Sequence, residues 1–150
     1  MSIKQKISDD LKSAMKAGET EKRDVLRMLD SMVKNTEIEK KKREEGLTDE
    51  EVIEVVTRAV KQRKDSIAQY ESGGRPELAE KEQKEIDILM AYMPEQMGEE
   101  EVRKIVKEVI SETGAQGAAS IGKVMGPAMA RLKGKADGTL VKKIVEEELK

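Results

Sequence analysis

Apolar residues recur at steps of three and four along almost the whole chain, and no stretch sustains the alternation of a half-buried strand. Ile3, Ile7, Leu11, Ala14 and Met15 form the first stripe, with Ser2 placed to cap it and Gly18 to end it. A second stripe begins near Thr20 with Val25, Leu26, Leu29, Met32, Val33 and Ile38, and runs into the charged string Glu39 to Glu45 before Gly46. That string reads as a solvated helix end, its lysines pairing with glutamates at helical spacing. Thr48 with Glu51 three residues on is a capping box, and Val52, Val55, Val56, Ala59, Val60, Ile67 and Tyr70 follow it as far as Gly73-Gly74. Pro76 suits the first turn of a fourth helix carrying Leu78, Ile86, Leu89, Met90 and Met93, which must finish before Pro94.

Pro94 and Gly98 interrupt two helical patterns within a few residues, and the domain division is placed there. Val102, Ile105, Val106, Val109 and Ile110 then predict a helix from about Glu99 to Gly114, followed by a small, flexible segment at residues 117–120. Residues 121–132 are helical in spacing but contain Pro127, so a kink or restart is expected at Gly126-Pro127. Asp137 is placed to cap a last helix bearing Leu140, Val141, Ile144, Val145 and Leu149. The expectation is an all-α fold: a domain of about four helices over 1–93 and a smaller bundle of about three over 94–150.

Composition narrows the chemistry. The chain has no Cys and no His, which removes disulfides, thiolate nucleophiles, imidazole bases and the usual zinc ligands. Carboxylates such as Asp9, Asp10, Asp24 and Asp30 remain, but among 31 acidic residues no pair stands out, and no catalytic residue, metal ligand or cofactor site is assigned. Neither a phosphate-cradling glycine loop nor a serine amidase pattern is present. No run approaches the roughly 18 apolar residues of a membrane span, and the first residues lack the apolar segment of a signal peptide, so a cytoplasmic protein is expected.

Charge is unevenly distributed. The net charge is −2, yet residues 114–143 hold Lys123, Arg131, Lys133, Lys135, Lys142 and Lys143 against the single acid Asp137. Two readings of that segment stand. It is a footprint for a phosphate backbone, whose counterions basic side chains release, or it is ordinary solvated surface with cations near helix C-termini. Base stacking has little to work with, because Tyr70 and Tyr92 are the only aromatics and both lie in the other half.

The same segment carries a motif. Gly126, Met129, Lys133, Gly134, Lys135, Ala136, Asp137, Gly138 and Val141 follow a pattern of Gly, two variable residues, Met, three variable residues, then Lys-Gly-Lys-Ala-Asp-Gly and a downstream Val. With it, the chain resembles the YqeY-like family over essentially its whole length, including Lys12 to Met15, Arg23 to Leu29 and Met93-Pro94. Residues from about 95 to the end also resemble the C-terminal tail of the B subunit of the tRNA-dependent amidotransferase. Asp137-Gly138 stands where that tail often has Asn-Pro; the cap is kept, and the pre-organised first turn is lost.

The resemblance implies a non-catalytic module for tRNA or other RNA, binding phosphates through the six basic residues, while Gly126, Met129, Gly134, Ala136, Asp137 and Gly138 have structural duties. Two alternatives stand beside it. One is an adaptor for an amidotransferase subunit or an aminoacyl-tRNA synthetase, its methionines offering adaptable contacts. The other is the family label of a carbon–nitrogen ligase with glutamine as amido donor, for which the chain shows no catalytic equipment of its own.

Overall fold

The computed structural model describes all 150 residues as seven α-helices and no strand. They are α1 (Ile3–Ala17), α2 (Thr20–Glu39), α3 (Asp49–Ser72), α4 (Pro76–Met90), α5 (Glu99–Thr113), α6 (Ile121–Leu132) and α7 (Gly138–Glu148). The chain divides into two compact units, Met1–Met93 and Pro94–Lys150, each with its own apolar core. No helix is long and apolar enough to cross a membrane.

Helix ends in the first unit follow from local chemistry. Ser2 Oγ accepts the Gln5 N–H at 3.1 Å, and Gly18 closes α1 at φ 71°, where a side chain would be strained. Thr48 and Glu51 form a complete capping box at the start of α3, with Glu51 N–H to Thr48 Oγ1 at 3.2 Å and Thr48 N–H to Glu51 Oε1 at 3.0 Å. The stripes of the four helices meet in one core, in which Leu26, Leu29, Val52, Val56, Ala59 and Leu89 lose all solvent contact. Met28, Met32, Met90 and Met93 are half-buried against it.

The charged string after α2 is mostly exposed, but its lysines are not paired at helical spacing. The helix stops at Glu39, and Lys41 sits at φ 57°. Lys40 and Lys42 do not pair along the helix; both reach Glu51 of α3, at 3.1 and 2.9 Å. Glu37, in the last turn of α2 just before the string, is buried. Its carboxylate accepts from Lys4 Nζ at 2.7 Å and from the Leu47 N–H at 3.0 Å, tying the loop between α2 and α3 to α1.

Tyr92, just past α4, is buried and donates its hydroxyl to Asp10 Oδ2 at 2.6 Å, with Lys6 Nζ 5.5 Å from the ring centroid. Burial, and then the hydrogen bond to Asp10, hold this phenol well above its ordinary pKa.

In the second unit α5, α6 and α7 pack pairwise around Val102, Val106, Val124, Ala128, Val141 and Ile144. Arg103 of α5 fastens α7 by donating to Glu147 and Glu148 at 2.7 and 2.8 Å. Within the small segment 117–120, Ala118–Ser120 forms a 3-10 turn leading directly into α6. Of the kink or restart expected at Gly126-Pro127, the restart does not occur: α6 is one helix from Ile121 to Leu132 with Pro127 inside it. The proline ring displaces the bond to the Lys123 carbonyl, and both residues lie on the exposed face of α6, where water can satisfy that oxygen.

Candidate nucleic-acid interface

The Lys-Gly-Lys-Ala-Asp-Gly string is the turn between α6 and α7. Leu132 is the last helical residue and is fully buried. The chain then reverses through Gly134 at φ 76°, and the N–H groups of Lys135 and Ala136 both return to the Leu132 carbonyl, at 2.8 and 3.2 Å. Ala136 is half-buried against the core, and Asp137 caps α7 by accepting the Thr139 N–H at 2.8 Å. A Cβ on Gly138 would sit 3.7 Å from Met129 Cε, so Met129 covers the start of α7. These roles account for Met129, Gly134, Ala136, Asp137 and Gly138; Gly126, by contrast, faces open space with no atom within 4 Å of its Cβ direction.

Two carbonyls of the turn are held from outside it. Gln96 Nε2 donates to Gly134 O at 2.7 Å and also to Pro94 O at 2.9 Å. The Met97 N–H donates to Lys135 O at 2.8 Å. The segment 94–97 is therefore built against the turn. On either side of the buried Gly134, Lys133 and Lys135 are exposed.

The other four basic residues are also exposed but are dispersed. Lys123 lies on the outer face of α6, opposite the buried Val124, Ala128 and Leu132. Lys142 and Lys143 lie on α7 away from Val141, Ile144 and Val145. Arg131 turns toward α5, donating to Glu108 Oε2 at 2.7 Å with Glu112 Oε1 at 3.9 Å. Of the six, Lys133 and Lys135 flank one glycine in the turn, Lys142 and Lys143 are neighbours on α7, and Lys123 and Arg131 stand on α6.

The carboxylates of the first unit have local partners. Asp9 accepts from Gln5, Asp10 from Tyr92, Asp24 pairs with Arg23 at 2.9 Å and Asp30 with Lys34 at 2.9 Å. No group of three or more acidic side chains is arranged to hold a metal ion. Reading the sequence missed Gln96, Met97, Glu37 and Lys4; their partners lie far along the chain, and the only local signal was that Gln96 and Met97 fall between two helices.

Comparison with known proteins agrees with the motif. The family model described as "Yqey-like protein" matches residues 4–149. A protein of Pyrenophora tritici-repentis named "Altered inheritance of mitochondria protein 41, mitochondrial" is 30% identical over 145 residues, covering 95% of this chain and 78% of that protein. Proteins of the same name match in Candida glabrata (34% over 90 residues) and Kluyveromyces lactis (37% over 86 residues). The chain's matches span 48% and 45% of those two relatives.

Proposed function

The chain belongs to the YqeY-like family, and from that premise we propose that it is a non-catalytic RNA-binding protein whose ligand is a folded RNA of the tRNA class. The observation that carries the reading is the turn of the second unit, where Lys133 and Lys135 stand exposed around a buried glycine whose carbonyl is fixed. Two ammonium groups on a held backbone suit phosphate oxygens, which position an RNA without reading its sequence. Lys123, Lys142 and Lys143 extend the cationic surface along α6 and α7, and Arg131 contributes at its edge. The likeness of this unit to the amidotransferase tail points to tRNA rather than to an arbitrary polyanion.

The two units are proposed to be separate domains, 1–93 and 94–150, with the RNA contact on the second. The relatives are named as mitochondrial proteins; a cytoplasmic place for this chain is a proposal that cell fractionation tests.

The main test is tRNA binding to the purified chain across a salt series. Wild-type protein is expected to bind at low salt, with affinity falling steeply as salt rises. Lys133→Glu combined with Lys135→Glu should weaken binding by at least about tenfold, as reversing charges beside phosphates would. Undetectable binding at low salt, or binding indifferent to the double substitution, overturns the proposal. An amidotransferase subunit or an aminoacyl-tRNA synthetase captured after nuclease treatment would assign an adaptor role instead, and glutamine-dependent ligase turnover by the purified chain an enzymatic one.

A further inference from the structure

We infer that Gln96 is a positioning residue for the Lys133–Lys135 turn, so that the first residues of the second unit are part of the RNA site; the inference rests on the RNA reading above. Gln96 spends its side-chain amide on two carbonyls, Gly134 O at 2.7 Å and Pro94 O at 2.9 Å. One residue on, the Met97 N–H holds Lys135 O at 2.8 Å. Consecutive residues at the start of the second unit thus grip consecutive carbonyls of the turn. The positive φ of Gly134 gives the turn its shape, and the bonds from Leu132 O to Lys135 N–H and Ala136 N–H close it from inside.

A turn held this way presents its two lysine stems from a fixed base. A flexible loop would have to surrender backbone freedom on binding, and preorganisation removes that cost. Gln96 itself carries no charge and adds nothing to the electrostatic attraction. Its effect on binding therefore passes through Lys133 and Lys135, and this separates it from a residue that merely supports the bundle.

The experiment is a double-mutant cycle on the full chain, with tRNA binding as the readout. Gln96→Ala is expected to weaken binding about three- to tenfold. It should leave the dependence of log affinity on log salt unchanged, whereas Lys133→Gln lowers that slope by about 0.7 to 0.9. In a background carrying Lys133→Gln and Lys135→Gln, the Gln96→Ala effect should vanish. Should Gln96→Ala fail to fold, Gln96→Asn, which keeps the amide but withdraws it by one methylene, goes through the same cycle. Binding that the Gln96 substitution leaves unchanged, or weakens equally with and without the two lysines, overturns this inference alone. Wild-type protein that does not bind tRNA overturns the RNA reading and this inference with it.

Discussion

Glu51 performs three tasks with one carboxylate. It closes the capping box on Thr48 and receives Lys42 and Lys40 at 2.9 and 3.1 Å. The hydrogen bond from Lys42, followed by those from the Thr48 backbone and Lys40, lowers its pKa from the ordinary 4.5 to about 2. A depressed carboxyl contributes stability that is complete above about 4.5 and is lost as pH falls through about 2. Glu51→Gln keeps an acceptor for the box and removes the titration. The urea midpoint of the variant should therefore fall less between pH 4.5 and 2 than that of the wild type; equal falls would show that Glu51 carries no acid sensitivity. The box was legible because its two residues are three apart. The convergence of Lys40 and Lys42 on it was not, because helical spacing offered those lysines nearer partners and only the end of α2 at Glu39 turns them away. Glu37 is the same lesson in a buried setting, since its Lys4 partner lies 33 residues away.

Among the helices, α6 departs furthest from its sequence signals. A proline at its centre removes one backbone hydrogen bond, yet the helix persists because Val124, Ala128 and Leu132 are fully buried on its other face. Tertiary packing outweighs a local defect that faces water. Pro127→Ala restores the missing N–H at an exposed position and is expected to raise stability by about 1 kcal/mol. Thermal unfolding checks this, and an unchanged or lowered midpoint would show that the ring itself packs usefully. Stripes, caps and terminating glycines made all seven helices readable, since each signal lies within one or two turns. The hold on the Lys-Gly-Lys turn was invisible, because Gln96 and Gly134 are 38 residues apart and no periodicity links them.

At the scale of the molecule, two cores form from consecutive stretches of chain. The second uses residues 94–150 alone, a length at which a single core is marginal but sufficient. That fragment, expressed by itself, should give a helical far-ultraviolet dichroism spectrum and a cooperative melt at a modest temperature; a disordered spectrum would show that the unit depends on the rest of the chain. Composition carried the absence of His and Cys directly, whereas the pairing of Arg131 with Glu108 of α5 became visible only with the bundle. The buried tyrosine adds a practical asymmetry. Tyr70 and Tyr92 are the chain's only aromatic side chains and both belong to the first unit, with the Tyr92 hydroxyl held by the Asp10 carboxylate. Intrinsic fluorescence therefore watches one half of the protein and is dark to the other, so an emission-monitored titration registers the loosening of Tyr92 from Asp10 while events at the Lys-Gly-Lys turn pass without a signal of their own.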